Sequence, residues 1–149
     1  MLRRRQRGRV ALVTGGSRGS GEASSKDLKA KGYEVAATYA GNDEAAAKFT
    51  DATGIKTYKW NVGDYASSKA GIEQVEADLG PIDVVVANSG TTRDPPFHPM
   101  TPEQWQDVLD PNLTALSTPV HPAWPARPQR TLGRLPLITS PHGQKGQAR

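Results

Sequence analysis

The sequence predicts an α/β fold with a doubly wound parallel sheet, and two patterns support this prediction. Short apolar segments alternate with segments of helical periodicity up to residue 87, and a glycine-rich turn follows the first apolar segment. Strands that alternate with helices of about 10–15 residues form parallel βαβ units. Proline divides the chain near the same place, since none of the twelve prolines precedes Pro81 and eleven lie between Pro95 and Pro141.

The regular part of the chain is expected to contain four strands and three helices. The predicted strands are Val10–Thr14, Glu34–Tyr39, Ile55–Trp60 and Ile82–Ala87. The predicted helices are Gly21–Lys31, Asp43–Thr53 and Asp64–Leu79. The first helix is expected to present Ser20, Ser24 and Leu28 to the sheet. Because two of these are serines, only Ala23, Leu28 and Ala30 are left to pack, and little apolar surface is buried.

The proline-rich part of the chain is expected to be less regular. A helix begins at Thr101 and can run through Leu109, where Pro111 interrupts it. Four prolines then follow at every third position: Pro119, Pro122, Pro125 and Pro128. Each interior proline costs a helix about 3 kcal/mol, so no continuous helix is expected there. Leu135–Ser140 contains Pro136 and can pair only as an edge strand or with one hydrogen bond lost. The sheet is expected to be truncated after about this fifth strand.

Composition excludes several classes of site. There is no cysteine, which rules out disulfides and thiolate chemistry. The three histidines lie far apart in the sequence, without the spacing of zinc ligands, so no metal site is predicted. No apolar segment is long enough to cross a membrane, and we expect a cytoplasmic protein.

Charge is concentrated at the two ends of the chain. Residues 1–9 contain five arginines and no acid, and residues 111–149 contain five basic residues and no acid. The segment between them has nine Lys and Arg against fifteen Asp and Glu, a net charge of −6. We interpret residues 1–9 as a disordered arm and residues 10–149 as one incomplete domain. Nucleic-acid binding is not favoured, because a nucleic-acid domain carries positive charge on its folded face.

The glycine-rich turn is the strongest functional signal. Residues 14–21 read TGGSRGSG, directly after the first strand and at the start of the first helix. In such a turn Gly15 permits the tight bend, Gly19 admits a pyrophosphate to the backbone, and Gly21 brings the helix close to the strand. Ser17 and Arg18 lie inside the turn. These features predict a Rossmann-like dinucleotide-binding domain.

The chain resembles the short-chain dehydrogenase/reductase family. The segments VALVTGGSRG, VVVANSG, TTRD, MTPEQW, NLT and GQKGQ occur in that family's order. NDEAAAKF, EADLGPID, MTPEQW and GQKGQ are similar to the NADPH-dependent acetoacetyl-CoA reductases of polyhydroxyalkanoate synthesis. The resemblance covers Val10 to Gln147, a little more than the N-terminal half of such an enzyme. It implies an acyl-CoA substrate and a homo-oligomer whose interface region is absent here.

Cofactor choice depends on the end of the second strand. NAD enzymes place an acid there to bind the ribose 2′-OH, whereas this strand ends Thr38-Tyr39-Ala40-Gly41. Arg18 could face a 2′-phosphate, which favours NADP(H), although it could also be a solvated loop residue. By resemblance, the remaining cofactor-binding candidates are Asn61, Val62, Asn88 and Gly90. Ala87 and Ser89 depart from the family's N-A-G segment.

The catalytic residues that the resemblance implies are incomplete. Asn112 matches the family's proton-relay asparagine, and Ser140 matches the serine that holds the carbonyl oxygen. Each is flanked by a proline, and each could instead be an ordinary polar loop residue. The family's Tyr-x-x-x-Lys pair should follow the serine, yet no tyrosine occurs after Tyr65. Tyr65 and Lys69 imitate the motif, but they precede the N-A-G strand, so we interpret the match as coincidence.

Three hypotheses therefore stand at the level of sequence. The first is a short-chain reductase that converts a 3-ketoacyl-CoA to the 3-hydroxyacyl-CoA, with this chain inactive by itself. The second is a nucleotide-binding module without catalysis. The third is an anionic-surface binder that uses the arginine arm, which the acidic middle of the chain argues against. Lys145, in the GQKGQ loop, could approach a CoA phosphate or be merely exposed.

Overall fold

The computed structural model describes residues 8–91, 100–123 and 134–139, and its centre is a four-stranded parallel sheet. The strands are β1 (Val10–Val13), β2 (Glu34–Tyr39), β3 (Lys56–Lys59) and β4 (Ile82–Val86), in the order β3-β2-β1-β4. The helices are α1 (Gly19–Ala30), α2 (Asp43–Thr53), α3 (Tyr65–Leu79), α4 (Pro102–Leu109) and α5 (Ala115–Ala123). The predicted doubly wound parallel fold is confirmed. The strand order reverses between β1 and β4, which creates a topological switch point.

Side-chain caps fix the beginnings of three helices. The side chain of Asn42 accepts a hydrogen bond from the backbone N–H of Ala45 at the start of α2. Asp64 accepts from the N–H of Ser67 at the start of α3. Thr101 and Gln104 form a reciprocal capping box at the start of α4. Each cap satisfies a backbone donor that has no partner within its own helix.

The sheet buries a hydrophobic cluster on each face. The α3 face carries side chains from all four strands, from the segment after β3, and from α3 and α5: Val10, Leu12, Ala36, Tyr58, Trp60, Val62, Ile72, Val75, Ile82, Val85 and Ala115. The α1 face lies on the other side: Ala11, Val13, Val35, Ala37, Phe49, Ile55, Val84 and Val86, with Leu28 and Tyr33 packed against it. The α1 face therefore receives much less apolar surface from its first helix than the α3 face receives from α3.

The buried stripe of α1 differs from the one predicted. Gly21 and Ser25 are the buried positions of this helix, and Leu28 is half-buried. Ser20, Ala23 and Ala30 are exposed, so the prediction that the two alanines pack against the sheet was wrong. The helix is rotated so that its smallest residues face the sheet. This rotation brings the helix axis close to β1, which a stripe of larger side chains would prevent.

The proline-rich helix also differs from the prediction. A π-helical turn, Asp110–Thr114, contains Pro111 and joins α4 to α5, and α5 contains Pro119 and Pro122. The helix α4 begins after Thr101 and ends at Leu109, as predicted, and its α-helical geometry changes to the π-helical turn at Pro111. The prediction that no continuous helix passes Pro119 was wrong. Pro119 is fully buried, and the neighbouring Thr118 hydroxyl donates to the carbonyl of Val62. Packing of α5 against α3 outweighs the unfavourable helix propensity of proline, and the wider π turn accommodates Pro111.

The segment 134–139 pairs in parallel with β4. Arg134 and Ile138 donate backbone hydrogen bonds to Asp83 and Ala87, and Val85 and Ala87 donate to Arg134 and Pro136. Pro136 has no N–H to donate, so one bond of this ladder is missing, and the segment pairs with β4 only at the two bridges Val84–Arg134 and Ala87–Leu137. Leu135, Leu137 and Ile138 remain exposed.

Both ends of the chain lie mostly outside the described residues. Residues 1–7 of the predicted basic arm belong there, although the carbonyl of Arg9 accepts a hydrogen bond from Glu34 N at 2.9 Å. Within the described ranges, no helix is long and apolar enough to span a lipid bilayer.

Candidate functional site

A cleft of about 610 Å³ opens at the carboxyl ends of β1, β2 and β4, at the switch point of the sheet. Open α/β sheets bind their ligands at this place. Most of the residues predicted to bind a dinucleotide line the cleft: Gly15, Ser17, Arg18, Gly19, Asn61, Val62, Asn88 and Gly90. The other predicted residue, Gly21, lies beneath the glycine turn and not in the cleft wall. The fold thus brings together three segments that are far apart in the sequence.

The glycine turn aims the start of α1 into the cleft. Gly19 has a φ of +56°, and a Cβ at this position would have nothing within 4 Å. The first N–H groups of a helix lack partners within it and carry its positive dipole end. Beneath the turn, a Cβ on Gly21 would lie 2.2 Å from the carbonyl oxygen of Gly15, so only glycine fits. The turn therefore has free space on the side facing the cleft, at Gly19, and none on the side facing the sheet, at Gly21.

Thr14 and Asn88 hold the turn against the end of β4. The Thr14 hydroxyl oxygen accepts from the backbone N–H groups of Asn88 and Ser89 at 3.0 and 2.9 Å. The Asn88 amide donates to the carbonyl of Thr14 at 3.0 Å and accepts from the Ser20 hydroxyl at 3.0 Å. The sequence analysis did not identify Thr14 or Ser20. A buried threonine at the end of an apolar strand was the available signal, because its hydroxyl requires partners.

A second polar cluster lies where β2 ends. The hydroxyl of Tyr39 donates to Asp43 Oδ1 at 3.0 Å, and Lys59 Nζ donates to Asp43 Oδ2 at 2.9 Å. The hydrogen bonds from Lys59 and then from Tyr39 lower the pKa of Asp43, and the bond to Asp43 raises the pKa of Lys59. Residues 38–41 contain no acid, as the sequence analysis noted, but the fold places the carboxylate of Asp43 against Tyr39.

Asn112 lies in the π-helical turn beside the segment that follows β4. Its Nδ2 atom donates to the carbonyls of Thr91 and Val108, both at 2.7 Å. A Cβ on Gly90 would lie 2.6 Å from Asn112 Oδ1, so the asparagine directly adjoins a residue of the cleft wall. Ser140 and Lys145 lie outside the described residues, and the relation of Ser140 to Asn112 stays a prediction.

Tyr65 and Lys69 lie in the first turns of α3, and Tyr65 contacts α5. The Tyr65 hydroxyl lies 3.2 Å from His121 Nδ1, and the two ring centroids are 5.9 Å apart. Neither Tyr65 nor Lys69 is among the residues that line the cleft. Among the described residues, no group of three or more His, Asp and Glu side chains could hold a metal ion.

Comparison with known proteins agrees with this geometry. The chain is 61% identical over 137 residues to an acetoacetyl-CoA reductase of Paracoccus denitrificans, a match that covers 92% of this chain and 57% of the relative. A variant of actinorhodin polyketide ketoreductase, solved with NADPH, superposes with a TM-score of 0.88 at 26% identity, covering 97% of this chain and 57% of that one.

A blue fluorescent protein from a metagenomic library, also solved with NADPH, has a TM-score of 0.81 at 30% identity, covering 95% of this chain and 60% of that one. The chain thus spans well under two thirds of the length of each of these three proteins. The sequence model of the short chain dehydrogenases matches residues 9–149. The chain belongs to the short-chain dehydrogenase family.

Proposed function

We propose that this chain binds NADP(H) as the cofactor-binding portion of a reductase that converts acetoacetyl-CoA, a 3-ketoacyl-CoA, to the 3-hydroxyacyl-CoA. The observation that carries this proposal is the cleft at the switch point, into which the glycine turn and the start of α1 open. The name of the Paracoccus relative and the NADPH bound in two similar structures support the substrate and the cofactor.

The residues of the cleft fit a dinucleotide phosphate. The open space at Gly19 admits a pyrophosphate to the backbone, and the positive end of the α1 dipole favours its negative charge. Arg18 precedes α1 and lines the cleft, where its guanidinium can pair with a 2′-phosphate. The wall formed by Asn61 and Val62 would lie beside the adenine, and Asn88 and Gly90 would line the cofactor.

When bound, the cofactor supplies a hydride to a carbonyl carbon. The amide nitrogen of Asn112 donates hydrogen bonds to two backbone carbonyls, and these bonds fix the orientation of its Oδ1 beside Gly90. We assign Asn112 to a proton relay and Ser140 to holding the carbonyl oxygen. A proton donor of the Tyr-x-x-x-Lys type is missing after Ser140 in these 149 residues. We therefore expect this chain to bind the cofactor without turning over substrate, whereas a complete enzyme would do both.

The glycines at the two ends of α1 provide the test of cofactor binding. Gly19 and Gly32 both have positive φ, +56° and +84°, and a Cβ at either would have nothing within 4 Å. Alanine at either position costs similar backbone strain, about 1–2 kcal/mol, but only Gly19 lines the cleft. We expect Gly19→Ala to weaken NADPH binding at least about tenfold, which corresponds to 1.4 kcal/mol, and Gly32→Ala to leave it unchanged.

NADPH binding is measured by fluorescence titration, with circular dichroism confirming the fold of each variant. Equal losses of binding in both variants would contradict the proposed site, since they would show a general effect of strain. A parallel assay follows NADPH oxidation with acetoacetyl-CoA. Measurable turnover by the purified 149-residue chain would refute the expected inactivity and would leave the binding site intact.

A further inference from the structure

The cluster formed by Lys59, Asp43 and Tyr39 lies at the cofactor end of the sheet and has no role in the function proposed above. Lys59 ends β3, Asp43 begins α2, and Tyr39 ends β2. The ammonium of Lys59 and the hydroxyl of Tyr39 each donate to a different oxygen of Asp43, at 2.9 and 3.0 Å. Both carboxylate oxygens are therefore engaged by donors from neighbouring strands.

This carboxylate adjoins two residues that line the cleft. Tyr39, its hydrogen-bond partner, lines the cleft, and so does Asn42, the residue before it. Asp43 itself is not part of the lining. In dinucleotide-binding folds the end of the second strand faces the adenosine ribose, where an acid binds the 2′-hydroxyl. Asp43 thus lies close to the place where such an acid would act.

A carboxylate near the ribose has opposite effects on the two nicotinamide cofactors. A free carboxylate accepts a hydrogen bond from the 2′-hydroxyl of NADH, and it repels the 2′-phosphate of NADPH. Asp43 carries a negative charge at neutral pH, and the hydrogen bonds from Lys59 and Tyr39 lower its pKa further. The ammonium of Lys59 offsets the charge of Asp43 from outside the cleft, and the guanidinium of Arg18 adds a positive charge within it.

We propose that Lys59 is a specificity-determining residue that acts through Asp43: the ion pair neutralises the carboxylate and withholds its oxygens from the ribose, so that the cleft accepts a 2′-phosphate. The inference rests on the proposed NADP(H) site and adds a positioning residue to it. Lys59 makes no contact with the cofactor in this scheme, and its removal acts by leaving the charge of Asp43 without its ion pair and freeing Oδ2, while Tyr39 still donates to Oδ1.

The test compares two lysines of the same strand. Lys59 and Lys56 are both about half exposed, and each pairs with an aspartate, Asp43 or Asp78. Lys56 begins β3, at the end of the strand opposite to the cleft. We expect Lys59→Met to raise the dissociation constant for NADPH roughly three- to tenfold, a modest effect because solvent screens exposed charges. The constant for NADH should stay unchanged or fall, and Lys56→Met should change neither.

A second substitution separates neutralisation of charge from loss of structure. Replacing Asp43 by Asn in the Lys59→Met background removes the released charge, so the NADPH constant should return toward that of the unmodified chain. Lys59→Arg should preserve the ratio of the two constants, because the guanidinium keeps the ion pair. The ratio is the informative readout, since a merely structural defect weakens both cofactors together.

The outcomes distinguish this inference from the proposed function. If the unmodified chain binds NADPH but Lys59→Met leaves the ratio of NADPH to NADH constants unchanged, the role of Lys59 is refuted and the proposed site stands. Failure of the Asp43→Asn substitution to restore NADPH binding would also overturn it. If the unmodified chain shows no saturable binding of either cofactor, the proposed site is wrong and this inference is wrong with it.

Discussion

The two faces of the sheet are packed in different ways. The α3 face buries aromatic and branched side chains, including Trp60, Ile72 and Val75. The α1 face receives only glycine, serine and a half-buried leucine from α1. The difference follows from position, because α1 must lie close to β1 for its first turn to reach the cleft. We infer that packing on the α3 face contributes most of the free energy of unfolding. The small residues of α1 instead allow its first turn to reach the cleft.

The largest expected effect of removing a buried side chain is on the α3 face. Ile72 is 1% exposed, and Ile72→Ala should reduce the free energy of unfolding by about 2–5 kcal/mol through lost burial and the cavity left behind. Leu28→Ala on α1 should cost less, about 1–2 kcal/mol, because Leu28 is only half-buried. Urea unfolding followed by circular dichroism measures both. Equal costs would show that the two faces contribute equally to stability.

A second pair of variants compares how each face tolerates added volume. A Cβ on Gly21 would meet the backbone of Gly15, and one on Gly71 would meet the ring of Trp60, each at 2.2 Å. Backbone of the turn cannot move without changing the cleft, whereas a ring can rotate. We expect Gly21→Ala to cost about 3 kcal/mol or more and to abolish NADPH binding, and Gly71→Ala to cost about 1–3 kcal/mol.

The readouts for this pair are urea unfolding, NADPH titration and tryptophan fluorescence. Gly71→Ala should change the fluorescence, since Trp60 must shift to accommodate the new methyl group. A variant Gly21→Ala that binds NADPH normally would show that the close approach of α1 to β1 is not required by the site.

The smallest expected effect comes from two buried serines on opposite faces. Ser25 and Ser68 are both fully buried, and Ser25 Oγ donates to the carbonyl of Gly16 at 2.9 Å. Ser68 Oγ has no hydrogen-bond partner among the described residues. Ser25→Ala should therefore destabilise by about 1–2 kcal/mol, and Ser68→Ala should be neutral or slightly stabilising. Denaturation midpoints compare the two, and a destabilised Ser68→Ala variant would reveal a partner such as a buried water.

Much of the fold could be predicted because local signals and the global fold agree. The four strands and three helices up to residue 86 lie within about two residues of their predicted bounds. The strand order β3-β2-β1-β4 was not itself predicted, but it is the order expected of right-handed crossovers with helices on both faces of the sheet. The glycine turn was recognised because it requires special residues at fixed positions, and eight of the nine predicted cofactor residues line the cleft.

The proline-rich part was predicted less well because proline propensity is only a local quantity. The helix propensity of Pro119 could be estimated from the sequence, but the burial of α5 against α3 and the hydrogen bond from Thr118 to Val62 could not. The role proposed for Lys59 could not be predicted from the sequence either. It is sixteen residues from Asp43 in the chain, and the pair forms only because β2 and β3 are neighbours.

The sequence by itself determined the βαβ pattern, the glycine turn and the resemblance to short-chain reductases, because each depends on residue type and spacing along the chain. Only the tertiary structure decided which side of α1 faces the sheet, how a helix passes Pro111 and Pro119, and which charge balances Asp43. These features depend on contacts between segments that are distant in sequence. Their energies come from packing and burial, which no local pattern records.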